Sequence, residues 1–135
     1  MEPVLILFKL MGAFLLGAVV GYEREKKAKP AGLKTISLIS LGSCLMTIIS
    51  IEFFRIYGGG DPGRVAAQII TGIGFLGAGS IIRSGASVRG LTTAATIWAI
   101  AGVGMAIGLG LYFASIASVV IILFILRGLS KLEQE

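Results

Sequence analysis

Apolar residues run almost unbroken through five stretches of this chain, at about 3–21, 33–54, 64–82, 92–107 and 109–126, and charge collects between them. Each stretch approaches the ~20 residues that a helix needs to cross the hydrocarbon core of a bilayer. The first runs into the cluster Glu23-Arg24-Glu25-Lys26-Lys27-Ala28-Lys29, and Gly58-Gly59-Gly60-Asp61-Pro62-Gly63 breaks the chain before the third. A basic loop at 83–91 precedes the fourth, and Gly108 and Gly110 separate the last two. The pattern predicts an all-α fold, a polytopic membrane helix bundle of about five transmembrane helices.

Composition supports this reading and narrows the chemistry. With 56% hydrophobic residues, 14% charged residues and a mean hydropathy of +0.95, the chain does not have the make-up of a soluble domain. Its 135 residues hold one bundle, so a single transmembrane domain is expected over 1–135. Histidine is absent and Cys44 is the lone cysteine, which removes the commonest general base, any intrachain disulfide and any thiolate metal cluster. The net charge of +5 does not point to nucleic acid, because the basic residues flank apolar spans, where they set topology and meet anionic lipid. Arg24, Lys26, Lys27, Lys29, Lys34, Arg83, Arg89, Arg127 and Lys131 fall at one end of the predicted bundle, and only Arg55 and Arg64 at the other. An excess of basic residues marks the cytoplasmic side, so the N terminus is expected outside and the C terminus inside. Lys9, left over in the first helix, is expected either to pair with Glu52 or to snorkel outward.

Small and polar residues give the helices distinct faces. At 100° per residue, Gly72 and Gly79 share one side of the third helix, and Gly74, Gly77 and Ala78 the opposite one, which predicts that this helix packs on two sides. Ala13, Gly17 and Gly21 recur at spacings of four in the first helix, and Gly104 and Gly108 in the fourth. Ser37, Ser40, Ser43, Thr47 and Ser50 run down one side of the second, as interhelical glue or as a cavity lining. Arg64, Gln68, Thr71 and Gly72 share a side of the third, and Thr92 and Thr96 of the fourth. Hydroxyls bond their own helix carbonyls, but the Gln68 amide has no such local partner and calls for a neighbour or a water. At an offset of 58, Gly21 aligns with Gly79, Gly32 with Gly90, Leu33 with Leu91, Thr35 with Thr93 and Ile39 with Ile97, a weak parallel repeat of helix, basic loop, helix.

Five ordered motifs, Gly21-Tyr22-Glu23-Arg24-Glu25, Ala31-Gly32-Leu33-Lys34-Thr35, Asp61-Pro62-Gly63-Arg64-Val65-Ala66-Ala67-Gln68, Gly72-Ile73-Gly74-Phe75-Leu76-Gly77-Ala78-Gly79 and the run from Val88-Arg89-Gly90 to Trp98, resemble those of the MgtC/SapB family. The resemblance covers about residues 12–110. It implies a multi-pass protein of the bacterial inner membrane, tied to growth or virulence under magnesium limitation and to acid or phosphate stress. It further implies regulation through other membrane proteins, with ATP synthase or transporter subunits as partners. Longer members carry a C-terminal soluble domain, which is not expected here, and Ile36 stands where many relatives have a polar residue.

These readings leave three classes of function. Catalysis is not expected, since the chain offers neither a nucleophile beside a base nor a phosphate loop, and no catalytic residue or resident cofactor is assigned. A regulatory or partner-binding membrane protein fits best. The alternative is a cation transporter or channel, for which a magnesium ion would need only one or two carboxylates beside hydroxyls. The expected functional polar site comprises Asp61, Arg64, Gln68, Thr92 and Thr96. Glu23, Arg24, Glu25 and Arg89 are expected to form an ion-pair network at the cytoplasmic loops, and Gly17, Gly21, Gly72, Gly74, Gly77 and Gly79 to serve close helix packing. Self-association, most simply as a homodimer, is expected from the abundance of small residues.

Overall fold

The computed structural model describes residues 1–133. Helices α1 (Pro3–Lys26), α2 (Leu33–Tyr57) and α3 (Arg64–Gly79) lead into a two-stranded antiparallel ribbon, β1 (Ile82–Ser84) and β2 (Ser87–Arg89). Helices α4 (Leu91–Leu109) and α5 (Tyr112–Gly128) follow, and a short 3-10 turn at Leu129–Lys131 ends the described chain. Helices are the natural answer to this sequence, because an apolar segment in lipid must satisfy every backbone amide internally. The glycine-rich breaks stop them: Gly110 at φ 85 takes the left-handed position that closes α4 and lets α5 turn back beside it.

Four of the helices, α1, α2, α4 and α5 with its 3-10 extension, are long and apolar enough to cross a membrane. The fifth expected span, α3, is apolar but has only 16 residues, ~24 Å at the standard rise against a hydrocarbon core of ~30 Å. What was expected to be a plain loop at 83–91 is instead the β-ribbon, with Ile82 opposite Arg89, Arg83 opposite Val88 and Ser84 opposite Ser87. The 58-residue repeat is visible in the helix starts, since α2 begins at Leu33 after Gly32 and α4 at Leu91 after Gly90.

The core is built by α1, α2 and α4. Ala13 and Val20 of α1, Ile36, Ile39, Cys44 and Ile48 of α2, and Ile97, Ile100, Val103 and Ile107 of α4 are buried together. Small residues set the spacing. A methyl group added at Gly17 would lie 2.7 Å from Ser40 Cβ, and one at Gly21 2.9 Å from Leu33 Cα. At Gly104 it would strike the Ser40 carbonyl, and at Gly108 it would lie 2.8 Å from Thr47 Cβ. The serine stripe is the seam of this packing, and its glue reading holds at Ser40, whose hydroxyl donates to the Ala13 carbonyl at 2.6 Å. Ser50 likewise donates to the Pro62 carbonyl at 3.2 Å, and Thr47 to its own helix at Ser43.

Helix α3 touches α4 and, less closely, α2, but its two glycine faces are not both covered as expected. Only Ile69 and Gly77 of α3 are buried, and Gly77 rests on Ala94 of α4. Methyl groups added at Gly72, Gly74 or Gly79 would meet nothing within 4 Å. Glycine permits close approach but does not supply the neighbour, and in this chain the neighbours stand at α1 and α4. Helix α5 also lies at the margin, with only Ser115 and Val119 buried.

Candidate functional site

Two neighbouring charged residues are buried where α1 ends. Glu23 is 2% exposed and Arg24 4% exposed. The Arg24 Nε donates to the carbonyls of Pro30 and Ala31, each at 3.1 Å, and its Nη2 to Pro30 at 2.8 Å and to the Thr93 hydroxyl. One guanidinium thereby ties α1, the α1–α2 connection and the first turn of α4 together, a task suited to a planar fork with donors on several edges. Glu23 points to α5. Its Oε2 accepts from Arg127 Nε at 2.8 Å, and its Oε1 lies 3.1 Å from Lys27 Nζ. The Glu25 carboxylate is folded over Gly32, at the amino end of α2, where negative charge complements the helix dipole.

The expected ion-pair network of Glu23, Arg24, Glu25 and Arg89 does not form: among the described residues only Glu23 of the four makes ion pairs, and these are with Arg127, Lys26 and Lys27. Arg89 is exposed on the ribbon, whereas Arg24 bonds Thr93 and Glu23 bonds Arg127. Carbonyl oxygens and a hydroxyl satisfy Arg24 as well as a carboxylate would, and they leave no trace in the charge pattern. Thr93 was visible only as the repeat partner of Thr35, and Arg127 only as a topology charge.

Asp61, Arg64, Gln68, Thr92 and Thr96 do not come together as one site. Asp61 and Arg64 flank the start of α3, and Thr92 lies in the first turn of α4; these helices run antiparallel, so the two groups occupy opposite ends of the pair. Asp61 Oδ1 accepts from the Gly63 amide at 2.9 Å, a local turn, and Thr96 donates to the Thr92 carbonyl at 2.7 Å within α4. Asp61 and Arg64 line a cleft of about 350 Å³ with Phe53, Phe54 and Pro62. Gln68 lines a different groove, of about 450 Å³, between α2 and α3, beside Gly42, Ser43, Met46 and Gly72.

Lys9 takes neither of its expected places. It is buried, and its Nζ donates to the Gly108 carbonyl at 2.9 Å, capping the carboxyl end of α4. Glu52 instead accepts from the Met1 amino group at 3.0 Å and from Arg55 at 2.8 Å. Among the described residues, no three acidic, cysteine or histidine side chains converge in a way that could hold a metal ion.

The family model described as the MgtC family matches residues 10–135. An uncharacterised protein of Haemophilus influenzae is 46% identical across 98% of this chain and 58% of its own length. Protein SapB of Bacillus subtilis is 49% identical across 87% of this chain and 53% of its own, and Protein MgtC of Salmonella typhimurium 44% identical across 91% and 53%. The chain thus spans a little over half the length of these relatives, and no solved structure matches it. The five ordered motifs, the helical bundle that they build and the match over 10–135 make this chain a member of the MgtC family.

Proposed function

We propose that this chain acts by binding another membrane protein, taking a transmembrane helix of that partner against α3, in the bacterial inner membrane and under magnesium limitation or acid or phosphate stress. The observation that carries the reading is the open face of α3. Gly72 and Gly79, on one side of α3, face empty space in a protein that fills the surroundings of Gly17, Gly21, Gly104 and Gly108. Gln68, exposed on the same short helix, places a carboxamide where lipid offers it no hydrogen bond. A partner helix would supply both the missing packing and the missing polar contact. Glu23 and Glu52 are committed to internal ion pairs, which favours partner binding over an oxygen cage for a cation.

The test is complementation. Gly72→Leu should fold and insert normally, since a β-carbon there meets nothing within 4 Å and the groove beside it is open, yet fail to support growth in low magnesium. Gln68→Leu should weaken growth in the same direction. Normal growth with both variants would refute the reading, and cation flux through proteoliposomes holding only this protein would replace it with transport.

The proposed orientation has its own check. With Cys44 replaced, a cysteine at position 27 should resist an impermeant thiol reagent added to intact cells, and one at position 59 should react. Reaction at 27 would invert the topology.

A further inference from the structure

The ribbon between α3 and α4 uses none of its side chains in the core: all six strand residues are exposed. Its two rungs nearest the helices pair Ile82 with Arg89 and Val88 with Arg83, and only the outer rung and the turn are Ser, Gly and Ala. Apolar and arginine residues are thus mixed at the base, with small polar ones at the tip. Gly90 fixes the base against α3, because its φ of 90 and its approach to the Ser80 carbonyl leave no room for a side chain.

The depth of this base follows from the length of α3, whose ~24 Å falls short of the ~30 Å hydrocarbon core. An open two-stranded ribbon cannot lie in hydrocarbon, because its outer amides and carbonyls would be unsatisfied. It can lie at the boundary, where Ile82 and Val88 meet acyl chains while headgroups and water satisfy the edges. The arginines then stand at the level of the phosphates. Neither arginine pairs with a carboxylate among the described residues; Arg83 only donates from Nε to the Gly85 carbonyl of its own turn, at 3.2 Å.

We propose that this ribbon is a binding site for an anionic phospholipid, with Arg83 and Arg89 on the headgroup phosphate and the acyl chains running down the outer face of α4 past Leu91 and Trp98. Leu91 and Trp98 are seven residues apart on one helical face, 58% and 59% exposed. Arg donors suit phosphate oxygens, and a cation near a charged bilayer surface gains about fivefold in association with anionic lipid.

Trp98 is the chain's only tryptophan, which makes the site directly readable. The full chain is reconstituted in phosphatidylcholine vesicles containing brominated phosphatidylglycerol, and then with the bromine on the phosphatidylcholine instead. Bromine quenches tryptophan on contact, so the two titrations give the preference for the anionic lipid beside Trp98. That preference should fall about fivefold in Arg83→Gln, further in Arg83→Gln/Arg89→Gln, and not at all in Lys131→Gln, which removes a charge from the same end of the bundle. Circular dichroism checks that the variants stay helical, and half-molar salt should reproduce the loss in the unmodified protein without any substitution. No preference in the unmodified protein, a preference unchanged by the double substitution, or an equal loss in Lys131→Gln would overturn the site.

Discussion

Gly104→Ala is expected to destabilise the bundle by about 2 kcal/mol or more, the upper part of the usual range for overpacking a filled core. The added methyl would strike the Ser40 carbonyl, and Ser43 Cβ would lie only 3.0 Å away. Neither is the far end of a flexible side chain that could swing aside, so α2 and α4 would have to separate. Their separation would also pull Ser40 from the Ala13 carbonyl and so loosen α1. Gly72→Ala is the contrast. With open space around that position, alanine should leave stability unchanged or raise it by up to about 1 kcal/mol through its better helix propensity. Unfolding of the two variants in mixed micelles by titrated denaturing detergent checks both signs. Equal losses at the two positions would mean that α3 is as enclosed as α4.

Replacing Arg24 should have an effect of similar size at the other level of the bundle. Arg24→Met removes every donor that serves the Pro30 and Ala31 carbonyls and the Thr93 hydroxyl, and a loss of about 3 kcal/mol is expected, because hydrogen bonds to a charged group contribute ~1.5–3 kcal/mol net and these carbonyls are left unserved. Arg24→Lys should recover only part of this. An ammonium can satisfy the connection or the α4 hydroxyl, but it lacks the fork that reaches both. Thr93→Val should cost about 1 kcal/mol, and combining it with Arg24→Met should add little to Arg24→Met alone, since both remove the same bond. Lys27→Arg keeps the charge beside Glu23 and should be silent. The same detergent titration measures all five variants, and full additivity of the Arg24 and Thr93 changes would separate the two residues.

Much of the fold was legible because lipid imposes a one-dimensional demand: each span must be continuously apolar, so the charge cluster at 23–29 and the glycine breaks at 58–63 and 108–110 mark helix ends to within about five residues. The ribbon was not legible, because three-residue strands such as Ile82-Arg83-Ser84 are too short to show alternation, and Gly85 reads equally well as a loop glycine. Gly17 and Gly21 continue the four-residue spacing from Ala13 on a face that α2 covers. Gly72, Gly74 and Gly79 of α3 carry the same signal without a covering helix, and no count of small residues distinguishes the two cases. The polar site was misjudged for a related reason. Residues were grouped by side of a helix, whereas the antiparallel course of α3 and α4 sends Arg64 and Thr92 to opposite ends.

The α1–α2 connection carries a further consequence. Ala28 and Ala31 sit at φ 54 and 55, the left-handed region that costs an ordinary L-residue roughly 1–2 kcal/mol. This local cost offsets part of what Arg24 contributes by gripping Pro30 and Ala31. Glycine carries no such cost at a positive φ, so Ala28→Gly or Ala31→Gly is expected to leave the connection no less stable, in contrast to the usual effect of exchanging alanine for glycine.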